Sequence, residues 1–143
     1  MRPDKVLLVD DELEFLDVLS ERLQRRGLDV SAAASGEEAV RLAAERSFDA
    51  VVLDLAMPGM DGLEALRRLL DVQPHLQVMI LSGQATLKAA VEATQLGAVD
   101  IFEKPTDVET LVQRIRFARA KRLALEERAT QEEIDDILRT RGW

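Results

Sequence analysis

The chain has 143 residues, a formal net charge of −8 and no cysteine. This length suits one domain with a full hydrophobic core, and the lack of cysteine excludes disulfides, thiol catalysis and cysteine-ligated metals. The acidic balance disfavours binding to nucleic acid or to an anionic membrane surface. No signal-peptide core precedes the first apolar run, and no run approaches the roughly 20 residues of a membrane span, so we expect a cytoplasmic protein.

Strand and helix patterns alternate five times along the chain. Short apolar runs predict the strands: Lys5–Val9, Leu28–Ala32, Ala50–Leu53, Gln77–Leu81 and Ala98–Phe102. A capping residue followed three positions later by glutamate indicates where three of the helices begin: Ser35 and Glu38, Asp61 and Glu64, Thr106 and Glu109. Because parallel strands need crossover connections, the predicted fold class is α/β, a doubly wound five-stranded parallel sheet flanked by five helices.

Polar residues follow the first, third, fourth and fifth strands: Asp10 and Asp11, Asp54, Ser82, and Lys104. In this topology the carboxyl ends of those strands meet at one edge, where open sheets place their ligand crevice. Clustered carboxylates repel one another unless a cation lies among them, and hard oxygen ligands favour Mg²⁺. A lysine and a hydroxyl opposite the metal would clamp a phosphoryl group, and one carboxylate could be the nucleophile that forms an acyl phosphate.

Any one of these side chains could simply be a solvated loop residue, but their joint position at matched strand ends favours a functional site. The surrounding motifs are Val9-Asp10-Asp11-Glu12, Leu53–Gly62 (LDLAMPGMDG), Leu81-Ser82-Gly83, Gly97–Asp100 and Glu103-Lys104-Pro105. In order and spacing, from about Lys5 to Arg119, the chain resembles the receiver domain of bacterial two-component response regulators.

The resemblance implies a role for each site residue. Asp54 is expected to accept a phosphoryl group from a histidine kinase or a histidine phosphotransfer protein. Asp11 and Asp54 would bind Mg²⁺ directly, with the Ala56 carbonyl as third protein ligand and Asp10 acting through water. Ser82 would donate a hydrogen bond to the phosphoryl group and Lys104 would pair with it. The family also implies strand order 2-1-3-4-5 and a cis peptide before Pro105.

One position departs from the family pattern. The residue three before the lysine is usually Tyr or Phe and changes rotamer on activation, but here it is Ile101, with Phe102 beside it. Neighbouring strand residues point to opposite faces, so Phe102 cannot take over without a change of register. We therefore predict a muted or rerouted activation change at the face formed by the fourth helix and fifth strand, with Ser82, Ile101 and Phe102 as the switch residues.

The C-terminal end is the second anomaly, and we divide the chain into a receiver domain at 1–120 and a charged helical extension at 121–143. Thr106 to about Arg128 predicts one long helix, and Thr130 with Glu133 predicts the start of a second, short one. Three interpretations stay open: a helix folded back on its own domain, a dimerisation or docking helix, and the linker of a longer regulator. No helix-turn-helix follows the basic residues, so no direct nucleic-acid contact is expected.

These patterns favour a signalling switch or phosphorelay intermediate that works with Mg²⁺, a kinase or phosphotransfer partner and a downstream effector, with a homodimer as one arrangement. It would catalyse only its own phosphorylation and dephosphorylation. An aspartyl-phosphate phosphatase is the enzymatic alternative, but it needs a second acid two residues after the nucleophile, where this chain has Ala56. A receiver-like module used only for binding is the third.

Overall fold

The computed structural model describes residues 2–57, 59–83, 87–104 and 106–141. The strands are β1 Lys5–Val9, β2 Asp29–Ala33, β3 Ala50–Leu53, β4 Val78–Ser82 and β5 Asp100–Glu103. The helices are α1 Leu13–Arg25, α2 Gly36–Glu45, α3 Gly62–Val72, α4 Leu87–Leu96 and α5 Val108–Thr140. Each predicted strand is confirmed, with β1 and β3 at the predicted bounds and the other three displaced by one or two residues.

All strand pairs of the sheet are parallel, in the order β2-β1-β3-β4-β5, which confirms the predicted topology. β1 lies between β2 and β3, with Val9 beside both Ala33 and Leu53. The residues that follow β1 and β3, Asp10 and Asp54, therefore leave the sheet side by side at its carboxyl edge. The predicted cis peptide before Pro105 lies outside the described residues.

Alternating side chains of the central strands build two cores, one on each face of the sheet. Leu7 and Val9 of β1 pack with residues of α2, α3 and α4, whereas Val6 and Leu8 pack with residues of α1 and α5. This alternation is the two-residue period of a strand applied to a sheet that is covered on both faces. Among the described residues, no helix is both long and apolar enough to cross a membrane.

Two of the three predicted helix caps are confirmed. Ser35 Oγ accepts a hydrogen bond from the Glu38 amide at 3.2 Å, and Asp61 Oδ1 accepts one from the Glu64 amide at 2.8 Å. The third was placed one residue too early. Asp107, not Thr106, caps α5, because its carboxylate accepts hydrogen bonds from both the amide (3.3 Å) and the hydroxyl (2.9 Å) of Thr110.

The prediction of a second short helix after Arg128 was wrong. α5 runs without a break from Val108 to Thr140, and this stretch contains no Gly or Pro that would end it. Thr130, predicted as a cap, lies in the middle of the helix, where its hydroxyl donates to the Glu126 carbonyl at 3.0 Å. A threonine that bonds back one turn in this way satisfies its hydroxyl without interrupting the helix.

α5 stays attached to the domain as far as Arg122. The Arg122 side chain is 8% exposed; its guanidinium donates to the Phe48 carbonyl at 3.0 Å and pairs with Asp49 Oδ1 at 3.1 Å. Asp49, at the start of β3, is fully buried and also accepts two hydrogen bonds from Arg2. This buried ion cluster anchors the helix at the point where it leaves the domain. Almost all residues after Arg122 are exposed.

Candidate functional site

Asp54 is held at the carboxyl edge of the sheet by one hydrogen bond of its backbone amide and one of its side chain. Its amide donates to the Val9 carbonyl at 2.9 Å, which continues the β1–β3 ladder by one residue. Its Oδ1 accepts a hydrogen bond from the Ala56 amide at 3.1 Å. The residue is only 3% exposed, so its carboxylate lies at the bottom of the crevice. Ala56, the predicted carbonyl ligand, lies on the exposed turn that follows.

Gly62 lets the start of α3 approach this turn closely. Its amide donates to the Leu55 carbonyl at 3.1 Å. A Cβ at this position would lie 2.3 Å from the Leu55 Cα and 2.8 Å from the Asp54 carbonyl oxygen, which is too close for any side chain. The glycine of the motif therefore serves the packing of the loop that carries Asp54.

Three carboxylates converge at the site, but they are not the three that the motif analysis selected. Among the described residues, oxygens of Asp10, Glu12 and Asp54 lie within 4.8 Å of one another. Asp10 is buried, and its Oδ1 accepts from the Glu12 amide at 2.9 Å. Asp11 is exposed on the same turn and lies outside this cluster.

The sequence analysis gave Glu12 no role. Glu12 occupies the N-cap position of α1, yet its side chain makes no capping hydrogen bond. It reaches Lys104 Nζ at 3.3 Å instead. The only signal in the sequence was that three acidic residues in a row follow β1, and such a run does not show which of them reaches Lys104.

Lys104 connects the acidic groups. Its Nζ lies 2.5 Å from Asp10 Oδ2 and 3.8 Å from Asp54 Oδ2, and its side chain is 10% exposed. The ammonium group also lies 4.2 Å from the centre of the Phe15 ring, a cation–π contact that the sequence analysis did not foresee.

Burial and neighbouring charges shift the pKa values of Asp10 and Lys104. Burial raises the pKa of Asp10, and the hydrogen bond from Lys104 offsets part of that effect. Burial by itself would lower the pKa of Lys104, but the hydrogen bond to Asp10 and the charges of Asp10 and Asp54 raise it above its ordinary value. Lys104 therefore stays protonated and can serve as a fixed positive charge.

Ser82 ends β4 and is buried beside the lysine. Its carbonyl accepts a hydrogen bond from the Lys104 amide at 3.1 Å, which fixes the backbones of the two residues next to each other. The structure thus brings Asp10, Asp54 and Lys104 into one cluster, and it places Ser82 at the adjacent strand end.

The two candidate switch residues of β5 face opposite sides of the sheet. Ile101 packs against the core formed with α2, α3 and α4, and Phe102 packs against the core formed with α1 and α5. The Phe102 ring is therefore on the wrong face to replace an aromatic residue at position 101.

The comparisons with known proteins agree with the fold. Residues 6–116 match the response regulator receiver domain family, which is more than half of the chain. Sporulation initiation phosphotransferase F of Bacillus subtilis is 32% identical over 111 residues, which make up 78% of this chain and 90% of that protein.

A longer relative is the C4-dicarboxylate transport transcriptional regulatory protein DctD of Rhizobium meliloti, 36% identical over 125 residues. The match covers 87% of this chain but 27% of DctD. The chain likewise spans 26% of transcriptional regulatory protein GlrR of Escherichia coli. What those whole proteins do therefore bears on this chain only as a proposal.

Solved structures show the same architecture. A response regulator protein from Burkholderia pseudomallei, solved with a phosphorylated aspartic acid, calcium ion and citrate, is 28% identical with a TM-score of 0.75. It covers 97% of this chain, and 86% of that structure is matched. A receiver domain protein from Clostridium thermocellum is 32% identical with a TM-score of 0.80, covering 85% of this chain and 98% of that one.

The chain belongs to the response regulator receiver domain family. It is accordingly a phosphorylatable switch of a two-component signalling system, built on the doubly wound sheet described above.

Proposed function

We propose that Asp54 is the phosphoacceptor of this switch. The observation that carries the proposal is the cluster itself: a buried carboxylate at the end of β3, held in place by its own loop and facing an acid pair and a lysine. An oxygen of Asp54 would attack the phosphorus of a phosphohistidine. A phosphorus–oxygen bond forms, the phosphorus–nitrogen bond breaks, and the imidazole keeps the electron pair.

We further propose that Mg²⁺ assists this transfer. Carboxylates of Asp10, Glu12 and Asp54 lie within 4.8 Å of one another, and an all-oxygen set without His or Cys is the chemistry that Mg²⁺ prefers. Asp11, which is exposed on the turn beside this cluster, would turn toward the ion and bind it directly together with Asp54 and the Ala56 carbonyl, and Asp10 would act through water. When bound, the ion offsets the negative charge that builds up between the carboxylates and the phosphoryl oxygens.

Lys104 and Ser82 would hold the transferred group. Lys104 Nζ already lies 3.8 Å from Asp54 Oδ2. After phosphorylation, the ammonium group would therefore pair with the phosphoryl oxygens in place of the Asp54 carboxylate. Ser82 at the neighbouring strand end would donate a hydrogen bond to a phosphoryl oxygen. These contacts differ between the two phosphorylation states, which is the requirement for a shift between inactive and active conformations.

The proposed donor is a histidine kinase or histidine phosphotransfer protein, and the output is an effector protein. The relative matched over 90% of its length is named a phosphotransferase, which supports the role of relay intermediate. The Burkholderia neighbour, solved with a phosphorylated aspartic acid and a calcium ion, supports phosphorylation of an aspartate in a protein of this family that also binds a divalent cation. Turnover on a free metabolite is not proposed, because Ala56 offers no acid two residues after Asp54. A cytoplasmic location stays a prediction.

The direct experiment is labelling with radioactive acetyl phosphate in the presence of Mg²⁺. We expect the wild type to acquire an acyl phosphate that hydroxylamine removes, and Asp54→Asn to acquire none. Asp29→Asn is the matched control, since Asp29 is an exposed aspartate at the opposite edge of the sheet, and it should label like the wild type. Equal labelling of Asp54→Asn would contradict the assignment. If the wild type acquires no label at all, the result would support a binding module instead.

A further inference from the structure

The last part of α5 extends beyond the domain with apolar side chains in solvent. From Leu123 to Thr140 the helix has 18 residues, about 27 Å at 1.5 Å per residue. Ile134, Ile137 and Leu138 are each 44–46% exposed. Most helix stability in proteins comes from a buried face, and almost all residues of this part of α5 are exposed. The segment is therefore suited to pack against another surface.

One stripe of α5 has the spacing of a helix–helix seam. Steps of three and four residues connect Phe117, Ala120, Ala124, Gln131, Ile134 and Leu138, with Glu127 at the remaining position. The stripe lies on the side of the helix opposite the residues packed into the domain, Leu111, Ile115, Ala118 and Arg122. It begins on the docked half of α5, where Phe117 is 66% exposed, and continues along the extended half.

Charge is divided between the two halves of this stretch. Residues 113–125 contain five basic side chains and no acidic one, and residues 126–138 contain six acidic side chains and one basic one. Arg119 and Arg122 are used by the domain, through Asp4 and Asp49. Arg114 and Arg116 lie within ion-pair distance of Asp100 and Asp4, at 3.4 and 3.9 Å, but their side chains remain 55% and 57% exposed. Lys121 is exposed on the same half.

We propose that α5 pairs antiparallel with α5 of a second copy of this chain. That arrangement sets the acidic half of each helix along the basic half of the other. It places Phe117 across from Ile134, Ala120 across from Gln131 and, at the centre of the seam, Ala124 across from Glu127. A parallel pair would align like charges along its whole length and place Glu127 against itself, which costs stability. The separation of basic and acidic residues along α5 thus favours a second copy of the same helix as the partner, in the antiparallel orientation.

The first test is the mass in solution of the 143-residue chain, whose monomer mass is 16.0 kDa. We expect a concentration-dependent dimer. Ile134→Asp places a charge in the seam and should weaken the dimer by about tenfold or more, equivalent to about 1.4 kcal/mol. Ala129→Asp is the matched control, an equally exposed position on the extended helix but off the seam, and it should leave the dimer intact. Both residues are exposed on the extended part of α5, so both variants should fold.

The second test determines whether the two helices run antiparallel or parallel. Because the wild type has no cysteine, only the introduced cysteines can form disulfides. In the antiparallel pair Ala120 faces Gln131, so a mixture of Ala120→Cys and Gln131→Cys chains should form a mixed disulfide. A longer tag on one variant makes the mixed product visible on a gel. Either variant by itself should not cross-link, because the two equivalent positions are about 16 Å apart.

The outcomes separate the alternatives. A strictly monomeric wild type would overturn the proposal and indicate that α5 docks a different protein or a further part of a longer chain. Self-cross-linking of Gln131→Cys without the mixed product would overturn the antiparallel direction. The dimer uses none of the residues at the acidic cluster, so Asp54→Asn should dimerise like the wild type, and failure of one proposal leaves the other standing.

Discussion

Lys104 Nζ, at the end of β5, lies 2.5 Å from Oδ2 of Asp10, which follows β1 and is 94 positions away in the sequence. The two side chains are almost fully buried, at 10% and 5% exposure. Each therefore compensates the charge of the other in a place that water hardly reaches.

Replacing Lys104 should lower the stability of the protein, because Asp10 would keep a buried charge without a cation beside it. In Lys104→Met the Asp10 carboxylate loses its cation, and we expect the free energy of unfolding at neutral pH to fall by about 1–3 kcal/mol in urea denaturation. Asp10→Asn and the double variant complete the cycle. The double variant should lose less than the sum of the single changes, because the two residues interact; strictly additive losses would contradict the coupling.

Asp11 and Glu12 compete for the role of the third acidic group in the proposed Mg²⁺ site. Among the described residues Asp11 forms no ion pair, whereas Glu12 is paired with Lys104, so Asp11 can turn to the metal without breaking an ion pair. We expect Asp11→Asn to weaken Mg²⁺ binding by about tenfold or more and Glu12→Gln to weaken it less, measured by calorimetry. The reverse order would transfer the role to Glu12.

The buried ion cluster that Asp49 forms with Arg2 and Arg122 predicts a pH dependence of stability. Burial by itself would raise the pKa of Asp49, but the hydrogen bonds from Arg2 and the Lys5 amide and the charge of Arg122 lower it below the ordinary 3.8. A carboxyl group with a lowered pKa adds stability above the unfolded-state value, and that contribution is lost as pH falls through the lower folded-state value.

The measurement is urea unfolding of the wild type and of Asp49→Asn between pH 7 and 2. The wild type should lose stability below about pH 4, and Asp49→Asn should show a flatter profile in that window. Asp29→Asn, at an exposed position, serves as control and should follow the wild type. Parallel curves for the wild type and Asp49→Asn would contradict the prediction.

The contact between α3 and the Asp54 loop predicts a strong effect of a single methyl group. In Gly62→Ala the added Cβ would lie 2.3 Å from the Leu55 Cα, so the loop must move, at a cost of about 1–3 kcal/mol in the free energy of unfolding. Labelling by acetyl phosphate should slow as well. Gly83→Ala is the control for stability, because its nearest neighbour would be Lys104 Cδ at 3.9 Å. Equal stability of both variants would contradict the overpacking argument.

The position of Phe102 predicts how the switch behaves on activation. With beryllofluoride bound as a phosphoryl analogue, we expect Phe102 to stay on the α1–α5 side, because reaching the other face needs a change of strand register. Ile101→Tyr restores an aromatic residue on the α4 side and should show a rotamer change on activation. A wild-type crystal structure in which Phe102 has moved inward behind Ser82 would contradict this.

The sequence by itself was enough for the topology and for the strand ends at which the site forms. Apolar runs too short for helices, each followed by a helical pattern, allow only crossover-connected parallel strands, and a parallel sheet brings its carboxyl ends to one edge. The sequence alone therefore assigns Asp10, Asp54, Ser82 and Lys104 to one edge.

Only the tertiary structure decided which side chains meet. Whether Asp11 or Glu12 reaches Lys104 depends on the torsion angles of one turn. Arg122 is buried because the carboxylate of Asp49 lies beside it, which its place in a run of basic residues does not indicate. The continuity of α5 past Arg128 was likewise not decided by the local sequence. A threonine such as Thr130 can either cap a new helix or bond back to the preceding turn, and in the structure it bonds back to Glu126. Patterns of residue type determine elements and edges, whereas the partners of individual charges depend on how those elements pack.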